Sequence, residues 1–262
     1  MSSLTLTIIQ TDLMWEDKAA NLQLLKEKID AIEERTEIVV LPEMFTTGFS
    51  MEPELFGETM EGETVQWMKD IAATNKIIVT GSVMIKENGD YFNRLIWMLP
   101  NGQYGYYDKH HLFAYGEEDK HFTAGNKRLI ASVKGWKINL QICYDLRFPV
   151  WSRQQSSETE TEFDLLIYVA NWPERRSHAW KTLLCARAIE NQCYVAGVNR
   201  VGKDTKNNYS GNSLVIDPMG QVLYHMADAE DVFTITLQKE EVDKLRMQFP
   251  FWKDADDFTI NL

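Results

Sequence analysis

The sequence predicts an α/β fold in which two sheets pack together and helices cover their outer faces. Short apolar runs, typical of buried strands, alternate along the chain with longer segments of helical periodicity. We count roughly a dozen strands and four or five helices, more strands than the usual width of one open sheet, about 4–6. No repeat, linker or low-complexity segment divides the chain, so we expect one domain spanning residues 1–262.

The first half of the chain contains five predicted strands and two predicted helices. The helices have apolar residues at helical spacing, and each strand run is bounded by polar or turn-forming residues. The strands are predicted at 4–11, 37–41, 77–85, 92–98 and 104–108, and the helices at 17–34 and 64–75. A loop is predicted from residue 110 to residue 125.

The second half continues the same alternation and ends on a short helix. Its predicted strands lie at 129–133, 137–143, 164–170, 194–199, 213–216, 222–225 and 232–237, and its helices at 175–191 and 240–247. The acidic stretch at 158–162 is predicted to be a solvated loop.

Composition excludes several classes of protein. A formal net charge of -12 makes nucleic acid an unfavourable partner, because an acidic surface repels phosphate backbones. No stretch reaches the ~20 apolar residues that a membrane helix requires. The first ten residues are typical of a strand rather than of an export signal, so we expect a cytoplasmic protein without partners in the membrane.

Three cysteines, Cys143, Cys185 and Cys193, are too few and too scattered for a disulfide framework. None belongs to a C-x-x-C pair of the kind that binds structural zinc, so no metal site is expected from them.

Three reactive residues each follow a predicted strand: Glu43, Lys109 and Cys143. Ligands of α/β sheets bind at the carboxyl ends of strands, so these side chains are expected to meet in one pocket. A strand that breaks into a turn at Cys143 would lift its sulfur out of the sheet. The N–H groups of that turn would stabilise a thiolate, the form that attacks a carbonyl or nitrile carbon.

The segments around these residues resemble the nitrilase superfamily of carbon–nitrogen hydrolases. The resemblance spans almost the whole chain and is carried by LPE at 41–43, YDKHHLF at 107–113, ICYDLRFP at 142–149, VANWP at 169–173, ARAIENQ at 186–192, GNS at 211–213 and FP at 249–250. Within the superfamily the chain is most similar to the omega-amidase branch, which hydrolyses the terminal amide of 2-oxo acids such as 2-oxoglutaramate or 2-oxosuccinamate.

This resemblance implies a fold, an activity and an assembly. The fold is a four-layer α-β-β-α sandwich, in agreement with the two covered sheets inferred from the element count. The activity needs no cofactor: its partners are a small-molecule amide substrate and water. Members of the superfamily usually pair through the surface near the cysteine, so a homodimer is expected.

The resemblance also implies roles for the reactive residues. Cys143 is the nucleophile that forms a thioester, and Glu43 is the general base. Lys109 and the backbone N–H of Tyr144 stabilise the oxyanion. Many members have a second pocket glutamate, for which Glu117 and Glu118 are both candidates. Counting back from Gly125 favours Glu118.

A 2-oxo acid amide also carries a carboxylate, which a guanidinium binds well because two N–H groups match its two oxygens. Arg175 and Arg176 are the candidates, with Arg147 as a third, although arginines that solvate a helix start are equally common. Aromatic residues near strand ends are expected to form the wall of the pocket and exclude water: Phe45, Tyr115 and Trp172.

Other functions remain open from the sequence alone. A metal-dependent amidohydrolase could use His110, His111, His121 and Asp145, although no H-x-x-x-H pair is present. A scaffold without catalysis could share the fold. Within the superfamily, nitrilase and N-carbamoyl amidase activities would use the same three catalytic residues.

Overall fold

The computed structural model describes residues 2–155 and 160–260 and contains two β-sheets packed face to face. The strands are β1 (Ser3–Gln10), β2 (Ile38–Val40), β3 (Ile78–Glu87), β4 (Asp90–Met98), β5 (Tyr104–Asp108), β6 (Leu129–Val133), β7 (Trp136–Ile142), β8 (Leu165–Ala170), β9 (Tyr194–Asn199), β10 (Val201–Lys203), β11 (Asn208–Ile216), β12 (Val222–Ala227) and β13 (Asp231–Gln238).

The helices lie between these strands. The α-helices are α1 (Lys18–Asp30), α2 (Pro53–Phe56), α3 (Glu63–Asn75), α4 (Glu118–His121), α5 (Pro149–Ser152), α6 (Ser177–Asn191) and α7 (Lys239–Gln248). Four short 3-10 helices occupy Ala114–Gly116, Cys143–Arg147, Glu174–Arg176 and Phe251–Asp254.

The first sheet has the strand order β13-β1-β2-β3-β4-β5, and the second has β10-β11-β9-β8-β7-β6 with β12 paired to β11. In the first sheet β1, β2 and β3 are parallel, and the other neighbours are antiparallel. In the second sheet β7, β8 and β9 are parallel. Each sheet therefore contains three adjacent parallel strands, and the carboxyl ends of those three strands lie side by side at the same end of the sheet.

Alternation along each strand divides the apolar side chains between two layers. On β2, Ile38 and Val40 belong to the cluster between the sheets, whereas Val39 belongs to the cluster beneath α1 and α3. On β1, Ile8 and Ile9 divide in the same way. This is the pattern expected of strands buried on both faces, because successive side chains point to opposite sides.

Helices cover the outer face of each sheet. On the first sheet, α1 and α3 contribute Leu22, Leu25 and Met68 to the outer cluster. On the second, α6 packs Trp180 and Leu184 against β9 and β11. The layers are therefore helix, sheet, sheet and helix, which confirms the predicted α-β-β-α sandwich.

The element boundaries differ from the prediction at a few positions. Asp17 caps α1 through its side chain, which accepts from Ala20 N at 3.0 Å, so the helix begins at Lys18. The helix predicted to begin at Arg175 begins at Ser177, after a 3-10 turn. The predicted loop at 110–125 contains α4, and β10 was not predicted. Of the acidic stretch at 158–162, residues 158 and 159 lie outside the described residues.

Within the described ranges, no helix combines the length and the apolar character needed to cross a bilayer.

Candidate active site

Glu43, Lys109 and Cys143 meet between the two sheets, as their positions after β2, β5 and β7 predict. Lys109 Nζ donates to Glu43 Oε1 at 2.9 Å, and both side chains are almost wholly inaccessible to solvent. The thiol of Cys143 lies close enough to Glu43 and Lys109 for their charges to act on its pKa. Three residues far apart in sequence thus form one charged cluster in the interior.

The structure brings Glu118, and not its neighbour Glu117, into this cluster. Lys109 Nζ donates to Glu118 Oε1 and Oε2 at 3.0 and 2.8 Å, and the N–H of Phe113 donates to Oε2 at 2.6 Å. Glu117 has positive φ, is exposed and pairs with Lys120. The left-handed turn at Glu117 points the two adjacent side chains in different directions, which a count of residues does not specify.

Asn93 is part of the cluster and was not predicted. Its Nδ2 donates to Glu43 Oε1 at 2.9 Å and to Glu118 Oε1 at 3.1 Å, so it bridges the two carboxylates. Asn93 lies within β4, where it is fully buried. Asn93 and Arg94 are the two polar residues in the strand predicted at 92–98, and this was the available sequence signal, because buried polar groups need partners.

The other oxygen of Glu43 is held from the second sheet. Asn171, the residue after β8, donates its backbone N–H to Glu43 Oε2 at 2.7 Å and its Nδ2 to the backbone carbonyl of Glu43 at 2.6 Å. These contacts fix the carboxylate of Glu43 between Lys109 and the end of β8. The NWP motif therefore contributes its asparagine to the positioning of the carboxylate.

The backbone turns sharply at Cys143. The strand β7 ends at Ile142, and Cys143 has a φ of 44°, in the left-handed region that non-glycine residues seldom adopt. A 3-10 helix begins at the same residue. The turn places Cys143 and Tyr144 on the wall of a cavity of about 500 Å³.

The thiol of Cys143 is held in its protonated form. Burial raises the pKa of Cys143 well above its ordinary value, and the negative charge of Glu43 raises the pKa further, against the opposing effect of Lys109. A neutral thiol beside a carboxylate requires the carboxylate to remove the proton as the sulfur attacks.

Lys109 and Glu118 have opposite electrostatic environments. Burial alone would lower the pKa of Lys109, but the carboxylates of Glu118 and Glu43 outweigh it and raise that pKa above its ordinary value. Burial raises the pKa of Glu118, an effect that Lys109 opposes and Glu43 increases. Lys109 thus remains a cation between two acidic groups.

The cavity that Cys143 lines has aromatic walls and a basic side. Trp172, Tyr144 and Tyr115 line it, in the positions expected for Trp172 and Tyr115. Two aromatic residues that the sequence did not single out, Phe49 and Phe113, line it as well. Phe49 also contacts the cluster, because Lys109 Nζ lies 5.2 Å from the centre of its ring.

The expectation that Phe45 forms a wall of the cavity is wrong. After Glu43 the backbone turns at Met44, which has a φ of 43°, and Phe45 points into the cluster beneath α3. There its ring packs against Trp67 and against Gly81, where an added Cβ would lie 2.8 Å from Phe45 Cδ1. The missing side chain at Gly81 makes room for Phe45 in the core.

Three arginines line the same cavity: Arg147, Arg175 and Arg176. Arg147 stacks on Trp172 with its guanidinium carbon 4.9 Å from the ring centre, and Arg176 stacks on Phe113 at 5.0 Å. Among the residues that the structure describes, no carboxylate forms an ion pair with any of them. Burial and the nearby charge of Arg175 lower the pKa of Arg176.

The residues proposed for a metal site form other contacts. His111 Nδ1 contacts Asp145 Oδ1 at 2.9 Å, and His110 Nδ1 contacts the carbonyl of Gly125 at 2.6 Å. Within the described part of the chain, no group of three or more His, Cys, Asp or Glu residues is arranged to bind a metal ion.

Comparison with known proteins identifies the family. Residues 5–247 match the family model described as carbon-nitrogen hydrolase. This chain belongs to the carbon–nitrogen hydrolase family. The cluster of Glu43, Lys109 and Cys143 therefore lies in a hydrolase acting on carbon–nitrogen bonds, and the predicted superfamily is confirmed.

Three relatives illustrate the extent of the similarity. Omega-amidase YafV of Escherichia coli K12 is 42% identical over 99% of this chain and 100% of its own. The 2-oxoglutaramate amidase of Bacillus subtilis is 33% identical over 95% and 96%. The structure of XC1258 from Xanthomonas campestris, a CN-hydrolase superfamily protein with an arsenic adduct in the active site, covers 100% of both chains with a TM-score of 0.96 and 42% identity.

Proposed function

We propose that this carbon–nitrogen hydrolase is an omega-amidase, which releases ammonia from the terminal amide of a small 2-oxo dicarboxylic acid monoamide. 2-Oxoglutaramate and 2-oxosuccinamate are the candidate substrates. The names of the relatives from Escherichia coli and Bacillus subtilis support this class of substrate.

One observation carries the proposal: three arginines without acidic partners line the cavity of Cys143 in a protein of net charge -12. Arg147 and Arg176 are half-buried and are held in place by stacking on Trp172 and Phe113, so their guanidinium groups remain available to an anion that enters the cavity. A 2-oxo carboxylate supplies both a charge and a planar pair of oxygens that guanidinium groups bind. A simple nitrile has no group for these arginines to bind.

The first half of the reaction forms a thioester. Glu43 takes the proton of the Cys143 thiol while the sulfur attacks the amide carbon, and the tetrahedral intermediate carries a negative oxygen. Lys109 and the N–H of Tyr144 stabilise that oxygen, and one such donor is typically worth about 3–4 kcal/mol of barrier. Glu43 then gives its proton to the leaving nitrogen, and ammonia departs.

The second half hydrolyses the thioester. Glu43, again ionised, takes a proton from water, which attacks the same carbon. The tetrahedral intermediate then releases the acid product, and Glu43 returns its proton to the departing sulfur of Cys143, which restores the neutral thiol and the carboxylate. The contacts from Asn171, Asn93 and Lys109 hold the carboxylate of Glu43 in place for both proton transfers. A base fixed in this way needs no rearrangement between steps.

A panel of substrates tests the proposal. Ammonia release would be measured with 2-oxoglutaramate, 2-oxosuccinamate, glutamine, a simple nitrile and an N-carbamoyl amino acid, with Cys143→Ala protein alongside. We expect turnover of the two 2-oxo acid amides that the Cys143→Ala variant lacks. Turnover of the nitrile or the carbamoyl compound in their place would contradict the substrate assignment while keeping the catalytic cluster.

The panel also tests the scaffold alternative. A protein without catalysis would release no ammonia from any compound, and Cys143 would react with iodoacetamide no differently from Cys185 and Cys193. Cys193 is a suitable reference, because burial raises the pKa of its thiol to about 12 and no member of the catalytic cluster contacts it.

Replacing the arginines tests the carboxylate site. Arg176→Gln should raise KM for 2-oxoglutaramate about ten- to a hundredfold, because one charge-assisted pair is lost, and leave KM for a neutral amide such as propionamide unchanged. Arg35→Gln removes the same charge from an exposed position and serves as the matched control. Equal effects of Arg176→Gln on both amides would exclude a role for it in binding the carboxylate.

The predicted homodimer and cytoplasmic location accompany this proposal. Sedimentation equilibrium of the purified protein measures its mass in solution, and a mass of one chain would contradict the dimer. Fractionation of cells tests the location.

A further inference from the structure

Asp145 lies two residues after Cys143, is fully buried and accepts four hydrogen bonds. Its Oδ2 accepts from Ile142 N at 3.0 Å and from Tyr107 Oη at 2.7 Å. Its Oδ1 accepts from His111 N and from His111 Nδ1, both at 2.9 Å. A buried carboxylate with all its contacts from donors is strongly held.

The four donors come from the two segments that carry the catalytic cation and the nucleophile. Tyr107 and His111 stand two residues before and two residues after Lys109. Ile142 immediately precedes Cys143. Lys109 follows β5 of one sheet and Cys143 follows β7 of the other, so the carboxylate joins the two sheets at the point where both catalytic side chains emerge.

Further contacts restrict this connection. Trp151 Nε1 and the N–H of His110 donate to Tyr107 Oη at 2.9 and 3.2 Å. The tyrosine oxygen therefore already accepts two protons and directs its own proton to Asp145. The ring of His111 stacks on Phe148 with 3.7 Å between ring centres, which fixes the imidazole beside the carboxylate.

We propose that Asp145 is a positioning residue that sets the geometry between Lys109 and Cys143 and holds the left-handed turn at Cys143. The proposal rests on the roles proposed above for those two residues. The charged carboxylate is required, because an amide at this position would direct an N–H₂ group at another donor. Both carboxylate oxygens of Asp145 accept only from donors: one from two N–H groups of His111, the other from the N–H of Ile142 and the hydroxyl of Tyr107.

The test compares Asp145→Asn with Asp164→Asn. Asp164 is also a buried aspartate with several donors, since Arg246 Nη1, Lys239 Nζ and the N–H of Lys137 contact it. It precedes β8 and so lies at the opposite end of the parallel strands from the catalytic cluster. Both variants lose one buried charge, and only Asp145→Asn loses the connection between the two catalytic segments.

Asp145→Asn is expected to lower kcat for 2-oxoglutaramate about a hundredfold with KM within about threefold, because misplacement of reacting groups by about an ångström has this effect. The rate of alkylation of Cys143 by iodoacetamide should fall as well. Asp164→Asn should lower the melting temperature but leave kcat and the alkylation rate within about twofold of the parent protein. A similar loss of kcat in both variants, or an unchanged alkylation rate in Asp145→Asn, would overturn the proposal.

The test of Asp145 can be read separately from the test of the proposed function. Alkylation needs no natural substrate, so a parent protein that fails to hydrolyse 2-oxo acid amides would contradict the proposed function without deciding the role of Asp145.

If Asp145→Asn does not fold, Tyr107→Phe removes one of the four donors and should lower the alkylation rate about tenfold. The control is Tyr224→Phe. The hydroxyl of Tyr224 donates to Asp231 of β13, the edge strand of the first sheet opposite β5. An equal rate in these two variants would overturn the proposal.

Discussion

Replacing Lys109 by Met would leave two buried carboxylates without their shared cation. Lys109 contacts both Glu43 and Glu118 within 3.0 Å, and all three side chains are inaccessible to solvent. Removing one partner of a buried ion pair costs about 3–5 kcal/mol. For a protein of this size that loss corresponds to a decrease in melting temperature of about 10 °C.

The loss should depend on pH, and the direction follows from Glu118. Its pKa is raised from the ordinary value of 4.5 by burial, and loss of the opposing Lys109 charge raises it further. The folded variant therefore binds a proton more tightly than the unfolded chain. Stability from that proton is fully present below about pH 4.5 and disappears as pH rises through the raised pKa of the folded state.

Thermal unfolding of parent and Lys109→Met protein at pH 5 and pH 8 measures this effect. We expect the melting temperatures to differ more at pH 8 than at pH 5. The double variant Lys109→Met with Glu118→Gln should recover part of the loss at pH 8, since only one carboxylate remains. The same difference at both pH values, or no recovery in the double variant, would refute the electrostatic account of the cluster.

Two further predictions concern the acidic residues. Glu43→Gln should abolish amide turnover and slow the alkylation of Cys143 by iodoacetamide at pH 7, because burial still raises the pKa of this thiol and the carboxylate that removes its proton is gone. Alkylation at the parent rate, followed by mass spectrometry, would show that Glu43 is not the base for this thiol. Glu118→Gln should lower kcat about a hundredfold, whereas Glu117→Gln, at an exposed position, should change kcat less than about twofold. Steady-state ammonia release measures kcat of both variants. Equal losses of kcat in Glu118→Gln and Glu117→Gln would mean that the contact of Glu118 with Lys109 does not contribute to catalysis.

The sequence was most informative where local pattern determines position. The strands β2, β5 and β7 end at Val40, Asp108 and Ile142, shortly before Glu43, Lys109 and Cys143. Ligands of α/β sheets bind at the carboxyl ends of strands, so the meeting of these three residues could be predicted. The contacts of Asn93 could not be predicted, because nothing in the sequence of β4 indicates that this amide lies against the carboxylates of Glu43 and Glu118.

The aromatic wall was only partly predictable, for a reason visible at Phe45 and Phe49. Both follow Glu43 closely, but the positive φ at Met44 turns Phe45 into the core, while Phe49 reaches the cavity. A residue in the left-handed region turns the chain sharply and so redirects the side chains next to it, and methionine gives no sequence signal for that conformation. The same limit applies to Glu117 and Glu118.

The central claim is that Cys143 forms a thioester with the acyl part of a 2-oxo acid amide. Rapid mixing with 2-oxoglutaramate, acid quenching and mass spectrometry of the peptide that contains Cys143 measure it directly. The account predicts that this peptide gains the mass of the substrate less ammonia, and that Cys143→Ala protein gains nothing. Turnover without such an adduct, or an adduct on Cys185 or Cys193, would contradict it.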